Sequence, residues 1–494
     1  MSSSSPPPPA QPNGDPAAAA GYDNPEPQRA PQTADADRVP MLQKLAIGVG
    51  EIPTIGRQSI DQLALPIYNI TLGVSPVLVT VALSLTRLLD AFTDPLAGSL
   101  SDNTRSRFGR RKPYLFVATL VCAVTLPLIW AVGPGWSEGA YFAYFVATLF
   151  AFYIAYSFYN VPLFALALEA TPDYHERTRV AAVKCCFSHT MGILGAWLFA
   201  ITQLKTLGGT IHGARVVGIL MGILVLAAGT IPVFFVREGY RHLALANKRL
   251  SLVRGIRETF LNKSFVVFAL MATGNKLSGS VIQGMGIYIM LYHVYHGDLR
   301  AASILAGLWG TCYHLATIGT IPLVSWMSVR WGKLRALEVC LWIFVVGAAS
   351  TWFTYRPGVP YLVLATALLL APAQTAFYAI LRSLVADICD DDELQTGLRR
   401  EGMYASMDAW IEKAMASLGV ILTGIVIASV GLDRGLGGHQ LPLTILHLRL
   451  AYIFLPMGGV GLTLVALRYF PLTESRATAI RQELERRRGT PYAR

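Results

Sequence analysis

Charged side chains are scarce in this sequence. Asp, Glu, Lys and Arg make up 14% of the 494 residues, where a soluble globular domain carries about 25%. Hydrophobic residues make up 53%. This balance points away from a water-soluble protein and toward one that spans a membrane. The short alternating segments of a transmembrane β-barrel are missing too; the apolar runs are long. Cysteine is rare: Cys122, Cys185, Cys186, Cys312, Cys340 and Cys389. None stands in CxxC spacing and nearly all lie in apolar runs, so they read as small core residues. There is no GxSxG, no HExxH and no P-loop. An enzyme reading therefore finds no support, and neither a catalytic residue nor a cofactor is expected.

The first residues lack a basic stretch followed by an apolar core, so they do not read as a secretory signal. Residues 1–42 are rich in Pro, Ala, Ser and Asp and are expected to be a disordered tail. The first membrane helix is then its own insertion signal. The net charge is +11. Membrane topology explains it better than nucleic-acid binding, because cytoplasmic loops collect Lys and Arg.

Apolar stretches of about 20 residues, long enough to span the hydrocarbon core, recur along the chain. Twelve are expected: 46–70, 76–100, 113–133, 140–165, 180–204, 214–236, 264–293, 301–327, 335–354, 359–384, 403–430 and 448–470. Alternate loops are rich in Lys and Arg, among them 105–112, 177–179, 237–257, 330–335, 399–400 and the tail 486–488. By the positive-inside rule that side is cytoplasmic, and both termini lie there. Arg107-Phe-Gly-Arg-Arg111 after the second span is echoed by Arg330-Trp-Gly-Lys-Leu-Arg335 after the eighth. Pro172–Arg179 after the fourth is echoed by Asp390–Arg400 after the tenth. Each pair is six spans apart. The expected fold is an all-α membrane protein of the major facilitator type, twelve transmembrane helices in two six-helix halves. The halves are 43–236 and 264–472, joined by a cytoplasmic linker 237–263 and followed by a basic tail 473–494.

Ionisable groups inside spans are expensive and are functional candidates by default. Asp90 and Asp94 lie four apart and share one helix face. Two carboxylates facing a cavity repel unless a cation or a proton sits between them. Na⁺ or H⁺ both satisfy that need. The alternative is an Arg87–Asp90 pair that only orders the bundle. In span four, Tyr156–Phe164 mixes aromatic and amide groups that suit sugar rings and hydroxyls, or a packed helix. In span eleven, Lys413 can pair with Asp90 or Asp94, with Glu412 about 100° away on the helix. Lys184 and Lys276 are further buried cations, and span one holds Glu51, Arg57 and Asp61. Asp102 and the run Arg107, Arg110, Arg111 can pair with helix ends and latch one conformation; setting topology is the alternative role. His189 and His314 lie in apolar spans, far apart in sequence, as packed or cavity-lining groups or as a proton relay.

Asp90-Ala-Phe-Thr-Asp94-Pro-Leu-Ala-Gly98, followed by Asn103-Thr-Arg-Ser-Arg-Phe-Gly-Arg-Arg-Lys-Pro-Tyr114, resembles the glycoside–pentoside–hexuronide:cation symporters of the major facilitator superfamily. Asp387–Gly402 looks like that family's loop between spans ten and eleven. The resemblance covers about residues 45–470. It implies sugar moved together with Na⁺, Li⁺ or H⁺. It implies a cation site at Asp90, Thr93, Asp94, Ser157 and Lys413. It implies a sugar site at Thr54, Arg57, Asn160, Phe164 and Lys184. Two carboxylates that hold sugar hydroxyls in the family's best-known member are replaced here by Thr54 and Asn160. Losing these charged acceptors weakens directional hydrogen bonding, so a different sugar is implied, and the cationic Arg57 and Lys184 would suit an acidic one.

The expected function is cation-coupled sugar symport by alternating access in a plasma or bacterial inner membrane. The expected partners are a sugar, membrane lipid and the coupling ion, with the chain as a monomer and no nucleic acid. The alternative is a Na⁺-coupled lysolipid or other small-molecule transporter of the same family. A non-transporting sensor would need an output domain that the tails do not supply.

Overall fold

The hydrocarbon core offers no water to backbone N–H and C=O groups, so apolar runs must satisfy them internally as helices. The computed structural model describes residues 38–171, 174–236, 257, 259–397, 400–433 and 436–488. Among them there is helix and no strand. Eleven helices are long and apolar enough to cross a membrane. Spans two to seven are Pro76–Asn103, Lys112–Ile129, Glu138–Leu168, Tyr174–Thr202, Thr210–Phe235 and Lys263–Ile289. Spans eight to twelve are Leu299–Gly319, Lys333–Thr354, Leu364–Thr396, Glu401–Ser429 and Pro442–Arg468. A tail helix, Glu474–Arg488, follows. The expected tail 1–42 and linker 237–263 lie largely outside the described residues.

Span one departs from the continuous helix expected over 46–70. It runs Met41–Val49, then Thr54–Ala64, then a wider turn over Leu65–Thr71. Pro53 has no N–H to donate, and the intervening backbone tightens. Glu51 N donates to Gly48 O, Ile52 N to Val49 O and Thr54 N to Glu51 O, all near 3.0 Å. Glu51 and Thr54 therefore stand at a helix break. Span eight is also divided, at Thr320 before Pro322, and its chain resumes as Ile321–Trp331.

The two halves meet along two flanks. On one, spans two and eleven touch: Ser84 Oγ donates to Ser417 O at 3.0 Å, and Gly424 lies where any Cβ would collide with Thr80. On the other, spans five and eight touch. Trp197 Nε1 donates to Thr311 Oγ1 at 2.8 Å, and Gly307 packs under the Trp197 ring. Tyr288 Oη donates to Asn69 Oδ1 at 2.6 Å, joining spans one and seven at the arginine-poor end. At the arginine-rich end the ion pairs stay within each half. Arg110 and Arg111 hold Glu169, Lys333 holds Asp387, and Arg400 holds Asp392. Among the described residues no hydrogen bond or ion pair joins the halves there. The described contacts between the halves lie at mid-membrane and toward the arginine-poor end.

The head of span one is fixed to span five by Glu176, which is fully buried. The membrane-crossing part of that helix starts only at Arg179. Val39 N donates to Glu176 Oε1 at 3.1 Å, Arg179 to Oε2 at 3.0 Å, and Lys44 pairs with it as well. Burial works against the charge, but these bonds outweigh it and hold the carboxyl below its ordinary value. A depressed carboxyl stabilises the fold above the unfolded pKa of about 4.3, and the contribution fades as pH falls below it. Glu176→Gln is expected to destabilise the protein at neutral pH by about 1–2 kcal/mol. It should also flatten the fall in melting temperature between about pH 5 and about pH 3. Thermal unfolding in detergent checks this; identical pH profiles in variant and parent would exclude Glu176 as the anchor.

Candidate functional site

Span two presents a polar face because positions 87, 90, 93 and 94 recur at helical spacing. The structure splits these residues among different partners. Arg87 Nη2 lies 3.1 Å from Asp61 Oδ1 of span one. It does not pair with Asp90, so the order-giving Arg87–Asp90 pair is not formed. A neighbour on another span wins, and Arg87 Nη2 reaches both oxygens of Asp61, at 3.1 and 3.4 Å. Thr93 and Ser157 exchange a hydroxyl hydrogen bond of 2.9 Å. Ser157 Oγ in turn lies 3.5 Å from Asp90 Oδ1. Asp94 pairs with Lys413 of span eleven, across the boundary between halves. The proposed cation-site residues Asp90, Thr93, Asp94, Ser157 and Lys413 are thus brought together. Asp90 has no ion-pair partner among the described residues. It is a half-buried carboxylate next to two hydroxyls and one turn from an ammonium–carboxylate pair.

The residues expected to meet sugar surround the break in span one. Thr54 Oγ1 is buried with no hydrogen-bond partner, as is Gln58 Oε1 one turn on. Positions 54, 57, 58 and 61 form one stripe of the helix. Arg57, on that stripe, has no hydrogen-bond or ion-pair partner among the described residues. On span four, Tyr153 is 1% exposed and its hydroxyl has no partner either. A buried polar group left unpaired costs about 1–3 kcal/mol, so these atoms are suited to a polar ligand or to water. Lys184 Nζ lies 2.9 Å from Glu51 Oε1 and 5.2 Å from the Phe164 ring centroid. Phe164 is 56% exposed. Its free face and the ammonium beside it form an exposed aromatic and cationic surface. Asn160 makes no hydrogen bond among the described residues.

Sequence reasoning missed Gln58 and Tyr153. The signal for Gln58 was available, since it follows Thr54 by four residues. For Tyr153 there was none, because an orphaned hydroxyl is a property of packing. The other half supplies a matching feature. Lys276 of span seven pairs with Glu412 of span eleven, as Glu51 of span one pairs with Lys184 of span five. The signs are inverted between the halves. Asn275, Tyr378, Arg382 and Asp408 line the same cleft.

Of the residues read as a gate, Arg111 Nη2 lies 2.8 Å from Asp102 Oδ1. Arg110 and Arg111 both reach Glu169 at the end of span four. Arg107 differs from expectation: its guanidinium lies 4.7 Å from the Phe108 ring centroid, and it has no carboxylate partner among the described residues. The loop bends it outward, where it is exposed. These pairs tie the loop after span two to span four within one half and bridge nothing between halves. Among the described residues no group of three or more His, Cys, Asp or Glu is placed to hold a metal ion.

Solved structures share this architecture. A bacterial homolog of the human lysosomal transporter Spinster superposes with a TM-score of 0.64 at 14% identity, covering 90% of this chain and 97% of that one. The nucleoside transporter NupG superposes with 0.61 at 13% identity, covering 88% and 100%. Among sequences, an uncharacterized symporter of Synechocystis sp. is 24% identical over 92% of this chain and 98% of its own length. The isoprimeverose transporter of Lactiplantibacillus pentosus is 22% identical over 82% of each chain. A glucuronide carrier protein homolog of Escherichia coli is 22% identical over 85% of this chain and 90% of its own. Residues 47–474 match the family described as MFS/sugar transport protein. The chain is therefore a multi-pass membrane transporter and belongs to the glycoside–pentoside–hexuronide family of the major facilitator superfamily.

Proposed function

We propose that this protein is a cation-coupled sugar symporter that works by alternating access, with its arginine-rich end and both termini in the cytoplasm. The observation that carries the reading is Asp90. It is a half-buried carboxylate without a direct ion-pair partner among the described residues, while the neighbouring Asp94 is already held by Lys413. Asp90 is therefore the group that the coupling ion neutralises. Lys413 also bears on which ion that is. A hard cation such as Na⁺ prefers several oxygens, and with Asp94 engaged it finds one carboxylate and the hydroxyls of Thr93 and Ser157. A proton needs Asp90 alone. The geometry favours H⁺, and Na⁺ would require Lys413 to leave Asp94.

Sugar would bind between the Phe164–Lys184 platform and the span-one stripe of Thr54, Arg57 and Gln58, with Tyr153 behind. The unpaired Arg57 favours a sugar that carries a carboxylate over a neutral one. The relatives named for isoprimeverose and for glucuronide represent those two classes. Arg57→Gln is expected to weaken binding of a sugar acid such as glucuronate by about tenfold or more. Neutral pentosides and glycosides should be affected far less. Ligand-induced shifts in melting temperature read both. A response to lysophospholipid and to no sugar would replace this reading with lysolipid transport.

Uptake into proteoliposomes under an imposed proton gradient, and separately under a Na⁺ gradient, tests the coupling. Asp90→Asn is expected to cut gradient-driven uptake by about 100-fold while sugar exchange between equal pools persists. Concentrative uptake that survives Asp90→Asn unchanged would remove Asp90 from the coupling site. Acceleration by Na⁺ at fixed pH would overturn the assignment of H⁺.

A further inference from the structure

The span five–span eight flank ends in a pair of imidazoles. His189 and His314 lie with ring centroids 5.7 Å apart, edge to face. They belong to different halves. Gly192 makes the contact possible: a methyl group there would lie 2.5 Å from His314 Cε1. Nearer the arginine-poor end the same flank is closed by Trp197, Thr311 and Gly307. The imidazoles lie on the arginine-rich side of that closure. On the opposite flank Asp94 and Lys413 pair between the halves. Each flank thus carries a contact between ionisable side chains of opposite halves.

The surroundings decide which charge state this contact tolerates. His314 Nδ1 is buried with no hydrogen-bond partner. A neutral imidazole can leave one nitrogen bare as an acceptor, but an imidazolium carries two N–H donors and needs two acceptors. Among the described residues no neighbouring element offers an unpaired carboxylate; Asp61 of span one is held by Arg87. Span one brings Arg57 and Glu51, and Glu51 is held by Lys184. Span seven brings Lys276, held by Glu412, and His293 near its far end. Span ten brings Tyr378 and Arg382. Span six brings His212 and Arg215 near its arginine-poor end, where Arg215 donates to Val132 O. Cys185, Cys186, Cys312 and Tyr313 flank the pair on its own helices. Two protonated rings at this spacing would repel, and a protonated His314 would bury an unpaired donor.

We propose that His189 and His314 form a proton-binding clasp between the halves, separate from Asp90, that is neutral while the flank is closed and takes up protons when it parts. Acid then favours the state in which spans five and eight separate and the arginine-poor end opens. The clasp acts on conformation whatever the substrate is, so it stands or falls apart from the sugar reading.

The test is a distance measurement across the arginine-poor end of the full chain in nanodiscs. Spin labels at Ala140 and Val359, both exposed and one in each half, are placed on a background with the native cysteines replaced. Between about pH 8 and about pH 5 the population at longer distance is expected to rise by about threefold or more. His189→Gln/His314→Gln, which keeps polar side chains but cannot titrate, should hold the closed distance throughout. Each single Gln variant should show a reduced response, and all variants should retain sugar exchange at the alkaline end. A distance that does not change with pH in the parent overturns the proposal. So does an undiminished pH response in the double variant or, should that variant not fold, in both single ones.

Discussion

The contact on which the rest depends is the ion pair between Asp94 and Lys413. It joins span two to span eleven in the middle of the membrane, where an isolated charge is least tolerated. An ammonium on one half and a carboxylate on the other make that flank cohesive. The pair also removes one of two neighbouring carboxylates from service and leaves Asp90 to be neutralised from outside. Ser157 and Thr93 then acquire a purpose, since their linked hydroxyls orient toward Asp90. The proposed coupling site is thus defined as much by the carboxylate already satisfied as by the one that is not.

Alternating access sets a second condition. When the halves rock, a charge paired across the boundary loses its partner, whereas a charge paired within its half does not. The structure sorts its charges accordingly. Glu51–Lys184, Asp61–Arg87 and Lys276–Glu412 are each contained in one half. So are the pairs of the arginine-rich end. These groups can face a cleft that fills and empties without paying a new desolvation penalty at each turn. Asp94–Lys413 is the exception among the described pairs, and it sits where motion must be sensed.

Much of this was legible in the sequence, and the reasons are physical. Helix periodicity placed Asp90 and Asp94 on one face, and it turned Lys413 away from Glu412, as their separate partners now show. Span lengths and arginine-rich loops gave the twelve-helix plan. What failed was the choice of partner between spans. Arg87 stands three residues from Asp90, and spacing alone favours that pair, yet Asp61 of another helix takes it. The break in span one was hidden because Pro53 sits in an apolar run whose composition still reads as a span. The partnership of His189 with His314 was out of reach, since no local rule links residues in different repeats.

The inverted pairs carry the argument furthest. Glu51 on span one and Lys184 on span five correspond to Lys276 on span seven and Glu412 on span eleven, with the signs exchanged. A repeat that kept the same signs would set acid against acid on spans one and seven, which meet at the arginine-poor end. Exchange sets Glu51 on the span that meets the span of Lys276. Each of these two pairs stays neutral within its own half. The internal duplication supplied equivalent positions, and the reversal of charge turned them into complementary walls. A polar substrate entering between such walls meets donors and acceptors on both sides. Arg57, on the span-one stripe and without an ion-pair partner among the described residues, adds a positive charge to that wall.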